Sequence, residues 1–114
     1  MKIGTSNKLA HLQCELAELS EQTLMLQSRV APMQQDVYNL QAYCSANQGD
    51  RRAMTDFRTA TRRLNTLLNT IRRNNIRIGT LQRLISQENN RIVRKQMTAQ
   101  ANMAMPRTRR PRYY

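Results

Sequence analysis

The chain has 114 residues and a mass of 13.3 kDa, which suits one small domain or one elongated element and excludes a second independent core. Aromatic residues make up only 4% of the chain and there are three glycines, a composition that argues against a sheet and favours helices packed along apolar stripes. The formal net charge of +12 favours a negatively charged partner.

The charge is distributed unevenly along the chain. Residues 1–50 hold three Lys or Arg and five acids, a net charge of −2, whereas residues 51–114 hold 16 Lys or Arg and two acids, a net charge of +14. Fifteen of those 16 cations are arginines, whose planar guanidinium groups suit bidentate contact with phosphate or carboxylate. The second half of the chain therefore carries the predicted contact with an anionic partner.

Segment 1–46 has apolar residues at alternating spacings of three and four from Leu9 onward, the a and d positions of a heptad repeat. We call the a and d positions the seam and predict that it packs on copies of the chain or on partner helices. Pro32 lies inside the pattern and should kink the helix; the alternative is that one helix ends at about Arg29. The apolar seam residues of this segment are Leu9, Leu12, Leu16, Leu19, Leu26, Val30, Met33, Val37 and Leu40, with Thr23 and Cys44 at two further a positions.

Residues 47–50 form the predicted turn, with Gly49 suited to ending one helix and Asp50 suited to capping the next. Segment 51–104 then repeats an apolar residue every seven positions, and its seam becomes more polar toward the C-terminus, where Asn74 and Asn75 are candidates for buried amides. The apolar seam residues here are Phe57, Leu64, Leu67, Ile71, Ile78, Leu81, Ile85 and Ile92.

These patterns predict an all-α fold of two long heptad-patterned helices, arranged as an αα-hairpin or as coiled-coil elements, with an extended basic tail over 105–114. In a hairpin, residue i would lie opposite about residue 97 − i.

The arginines of the second helix avoid the seam, which predicts a basic surface that binds a polyanion such as nucleic acid. An acidic protein surface and a merely solvated helix surface are the alternatives. The tail adds arginines between two prolines, followed by two tyrosines that can stack on bases. The predicted polyanion-binding residues are Arg58, Arg62, Arg63, Arg72, Arg73, Arg77, Arg83, Arg91, Arg94, Lys95, Arg107, Arg109, Arg110 and Arg112.

Catalytic, metal and cofactor chemistry has no sequence signature in this chain. Cys14 and Cys44 stand thirty residues apart without a CxxC pair, and His11 has no partner at ligand spacing. No run of about 18 apolar residues exists, so no membrane span is predicted, and no small-molecule substrate is implied. The cysteine usage favours a reducing intracellular compartment, or the inside of a virion or ribonucleoprotein particle.

The sequence therefore predicts a non-enzymatic structural assembly protein, a helical subunit that contacts a polyanion. Its layout is typical of a minor capsid, cement or core protein of a virus or phage, or of an accessory subunit of a ribonucleoprotein. The alternative is a coiled-coil adaptor subunit of a multiprotein complex, such as a cytoskeletal or tethering assembly, whose arginines grip acidic surfaces.

Overall fold

The computed structural model describes the backbone of residues 2–109 and the side chains of residues 7–102. Over this range the chain is helical apart from Arg29 and the turn at 47–50, and no strand is found there, which confirms the predicted all-α class for the described residues. The helices are α1 (Lys2–Ser28), α2 (Val30–Ala46) and α3 (Arg51–Arg109).

Arg29 separates α1 from α2, one turn before Pro32. Proline has no N–H, so Pro32 cannot donate to the carbonyl of Ser28, the residue four positions earlier. The chain tightens instead: the Arg29 N–H donates to the Leu26 carbonyl at 3.0 Å, a bond that spans three residues rather than four. Arg29 stays in the right-handed helical region at φ −88° and ψ −13°, so the heptad register continues from α1 into α2.

Asn47 ends α2. Both its backbone N–H and its side-chain Nδ2 donate to the Tyr43 carbonyl, each at 2.9 Å. Gly49 was expected to end this helix, and that expectation is wrong: Asn47 follows the last helical residue and caps the helix, and Gly49 lies in the turn without a positive φ.

Asp50 begins α3, as the sequence predicts for an N-cap residue. Its Oδ1 accepts a hydrogen bond from the Ala53 N–H at 3.0 Å, and its carbonyl accepts the first intrahelical bond from Met54 at 3.2 Å. The Tyr43 hydroxyl donates to Asp50 Oδ2 at 3.3 Å, which ties the end of α2 to the start of α3. The turn is therefore fixed by side chains of both helices.

The chain divides into two compact units. The turn unit is Leu16–Gly79, and the terminal unit joins Met1–Glu15 to Thr80–Tyr114. In the turn unit, α2 and the start of α3 run antiparallel on either side of the turn and line a shared open groove, with Leu40 and Tyr43 on one side and Asp56 on the other. In the terminal unit, Lys8 Nζ of α1 lies 3.9 Å from Glu88 Oε1 of α3. Lys8 and Glu88 sum to 96, one less than the predicted register.

The seam positions are the covered ones in both units. All a and d positions from Leu9 to Cys44 are half-buried or buried, and so are those from Ala53 to Ile92. The most completely buried are Leu81 at 0% exposure, Leu67 and Ile71. No helix among the described residues is apolar enough over sufficient length to cross a membrane.

The C-terminal end of α3 differs from the expectation. The predicted helix stops at 104 before an extended tail, whereas α3 continues to Arg109. Pro106 was expected to end the helix, yet it lies within α3, although a proline inside a helix removes one backbone hydrogen bond and crowds the carbonyl four residues earlier. Residues 110–114 of the predicted tail lie outside the described part of the chain.

Candidate polyanion-binding surface

The described cationic side chains of α3 are all exposed to solvent. Among the described side chains, α3 carries eleven arginines and Lys95, and every one of them is exposed. Heptad register explains this: the arginines fall at b, c, f and g, so that the seam turns inward and the guanidinium groups turn outward. The predicted binding residues among them are Arg58, Arg62, Arg63, Arg72, Arg73, Arg77, Arg83, Arg91, Arg94 and Lys95, joined by Arg51 and Arg52, which the prediction left out.

Three arginines of the turn unit lie along one side of α3. Arg51, Arg62 and Arg73 follow each other at intervals of eleven residues, which is about three helical turns and about 16 Å. Three turns return a side chain to nearly the same direction, so these guanidinium groups form a line parallel to the helix axis. We call them the arginine line. Within residues 7–102 none of the three forms an ion pair, which leaves their donors available to an external anion.

The two acids of α3 do little to neutralise this surface. Asp56 is exposed and lines the groove of the turn unit together with Arg52 and Arg63. Glu88 has only 4% exposure, because it occupies a d position of the seam in the terminal unit. One acid is therefore turned into the groove and the other into the seam, while the arginine line remains outside both.

Glu88 is held as a carboxylate by the cations around it. Arg91 donates to both of its oxygens, from Nε at 3.3 Å and from Nη2 at 2.9 Å, and Lys8 lies beside Oε1. The hydrogen bond from Arg91 lowers the pKa of Glu88, and the charges of Arg91, Lys8 and Lys95 lower it further; burial opposes them and raises it. The same pairing raises the pKa of Arg91.

The polar side chains buried in the seam differ from those that the sequence singled out. Asn74 is half-buried and Asn75 is exposed, so neither is a buried amide; the buried polar residues are Thr23 and Glu88. Thr23 satisfies its hydroxyl within its own helix by donating to the Leu19 carbonyl at 2.7 Å. The d register of Glu88, with an arginine three residues later, is the sequence signal for its burial.

Other predicted site features are distributed as follows. Cys14 is exposed and Cys44 is buried, both as free thiols. Among the described residues, no group of histidine, cysteine or acidic side chains is arranged to hold a metal ion. The side chains of Arg107, Arg109, Arg110 and Arg112 lie outside the described range, so their predicted role in anion binding stays a prediction.

Comparison with protein-family models, with curated proteins and with solved structures finds no match for this chain. The functional inference therefore depends on the surface itself, and the distribution of charge over α3 is its most specific feature.

Proposed function

We propose that this chain is a non-enzymatic structural subunit that associates through its helices and binds nucleic acid through the exposed arginines of α3. Such a subunit suits a minor capsid, cement or core protein of a virus or phage, or an accessory subunit of a ribonucleoprotein. The observation that carries the proposal is the arginine line, three exposed guanidinium groups at regular spacing without ion pairs among the described residues.

Nucleic acid fits this surface better than an acidic protein does. A rod of guanidinium groups about 16 Å apart suits a partner whose negative charges repeat along its whole length, as phosphates do. An acidic protein surface presents carboxylates at irregular positions. Arginine also forms bidentate contacts with phosphate, and α3 uses arginine at every described cationic position except Lys95.

The salt dependence of duplex binding tests the proposal. Each phosphate contact releases counterions and contributes ~0.9 to the slope of log K against log salt concentration on duplex DNA. We expect steep salt dependence for the full chain, measured by fluorescence anisotropy on DNA and RNA duplexes. The variant with Arg51, Arg62 and Arg73 all changed to Gln should reduce the DNA slope by about 2.7.

Arg29 provides a matched control for a single position of the arginine line. Arg29→Gln removes an exposed arginine from the break between α1 and α2, whereas Arg62→Gln removes one from α3. We expect a reduced slope for the Arg62 variant and an unchanged slope for the Arg29 variant. Equal slopes for both, or little affinity of the full chain for any nucleic acid, would contradict the proposal and favour a protein adaptor.

A further inference from the structure

A second stripe without charge runs along α1 and α2 of the turn unit. It occupies the b and e positions, which adjoin the a column of the seam on the helix surface. The stripe consists of Ala17, Leu24, Ala31 and Tyr38 at b, with Ser20, Gln27, Gln34 and Gln41 at e. We call it the neutral stripe. Charged residues make up 23% of the chain, yet none falls on it.

Within residues 7–102, seven of the eight members of the neutral stripe are exposed and Ser20 is half-buried. Leu24 and Tyr38 are each 67% exposed, although large apolar side chains at regular spacing are ordinarily covered. The adjacent seam residues, such as Leu26 and Val37, are half-buried. Right-handed backbone at Arg29 keeps the stripe in phase across the break between the two helices. One side of α1 and α2 is thus covered by α3, and the side next to it is open.

We propose that a second copy of this chain docks on the neutral stripe through its own neutral stripe. The proposal deepens the assembly role given above and rests on it, because it names the partner and the surface. Charge favours this occupant: two copies that approach through α3 bring arginines together, whereas the neutral stripe lies on the half with net charge −2 and carries no charge itself. Docking there leaves the arginine line outside, free for phosphates.

An antiparallel arrangement of the two stripes satisfies the packing of their side chains. It brings Tyr38 of one copy toward Ala17 of the second, and Leu24 toward Ala31, so that a large side chain meets a small one at each level. It also places Glu21, at the edge of the stripe, near Gln35 of the second copy. A parallel arrangement would set Tyr38 against Tyr38 and Ala17 against Ala17, which is a packing mismatch because large side chains meet large ones and small side chains meet small ones.

Leu24 and Met25 make a matched pair of test positions. They are adjacent, similarly large and similarly exposed, at 67% and 58%, but only Leu24 lies on the neutral stripe. Sedimentation equilibrium of the full chain without nucleic acid should show a concentration-dependent dimer. Leu24→Glu should raise the dimer dissociation constant by about tenfold or more, because it places an unpaired charge in the dimer interface. Met25→Glu should leave that constant nearly unchanged. A full chain that stays monomeric, or equal weakening by both variants, overturns the proposal.

Cross-linking tests the orientation. In a Cys14→Ser background, Glu21→Cys and Gln35→Cys place two thiols at the edge of the stripe, while Cys44 is buried. A short bis-maleimide should join position 21 of one copy to position 35 of the other in the antiparallel dimer, as identified by peptide mass spectrometry. Links of 21 to 21 and 35 to 35 overturn that arrangement.

The salt slope on duplex DNA separates this proposal from the proposed function. Leu24→Glu should retain a steep slope per bound chain, because the arginine line is intact. A full chain that dimerises but shows no salt-dependent binding would contradict nucleic-acid binding and leave self-docking in place. A full chain that stays monomeric but binds DNA with a steep salt dependence would contradict self-docking and leave nucleic-acid binding in place.

Discussion

On either side of the turn at 47–50, the chain covers one stripe of residues and presents different surfaces to solvent. Both halves place a and d residues inward, and these are half-buried or buried throughout. Outside the seam, α1 and α2 present the neutral stripe, whereas α3 presents arginines. The two halves therefore differ only outside the seam, and the residues at those outer positions decide which partner each half can contact.

The largest effect is expected where the two halves are alike, at the seam. Leu81 is completely buried, so Leu81→Ala should lower the free energy of unfolding by about 2–5 kcal/mol through lost apolar burial and the cavity left behind. Urea unfolding followed by far-ultraviolet circular dichroism measures this at fixed protein concentration. Val93→Ala, at a 50% exposed position of the same unit, is the control and should cost much less. Equal losses would mean that the seam is not the core.

Glu88 is the acid that α3 places in the seam, so its ionisation should affect the stability of the paired helices. Its pKa in the folded chain lies below the ordinary value of 4.5, so the folded state binds its proton less readily than the unfolded state. Glu88 therefore stabilises the fold above pH 4.5, and this contribution is lost as the pH falls through the lowered pKa.

Unfolding measured across that pH range tests the role of Glu88. Glu88→Gln keeps the shape of the side chain and removes its ionisation, so its stability should depend less on pH in this window than that of the full chain. Glu18→Gln, an exposed position of α1, serves as the control and should follow the full chain. An unaltered pH profile for the Glu88 variant would show that the Arg91 pairing contributes nothing to stability.

The smallest effect is expected on the exposed surface of α3. Gly79 is helical, and a Cβ built on it meets no atom within 4 Å, so Gly79→Ala should raise the free energy of unfolding by up to about 1 kcal/mol. Gly49 has equally open surroundings but lies in the turn, where the helix preference of alanine gives no gain. Thermal unfolding of both alanine variants should therefore stabilise the first more than the second. A loss of stability in the Gly79 variant would reveal a close neighbour on that surface.

The sequence predicts the seam well because the spacing of apolar residues determines which side of a helix is covered. The same spacing places the arginines outside, so most of the candidate surface follows from heptad position alone. The cap of α3 by Asp50 also follows from residue type and position.

Three features could not be predicted from the sequence pattern: the residue that ends α2, the position at which α3 ends, and the burial of Glu88. Gly49 and Asn47 both suit the end of α2, and the Asn47 amide forms the bonds that end it. Pro106 lies within α3, although proline disfavours a helix interior by about 3 kcal/mol. Glu88 is buried because its partners Arg91 and Lys8 compensate for desolvation, which requires both helices to be in place.

Because the turn between α2 and α3 is short, the pairing of helices within one chain should not depend on protein concentration, whereas docking between chains should. Four residues tether the two helices of the turn unit, and Asp50 is bonded to Tyr43 across them, so their pairing is intramolecular. Its effective concentration is set by the tether and does not change with the amount of protein in solution. The proposed docking of copies has no such tether, so it should weaken as the protein is diluted, while the paired helices persist in each chain.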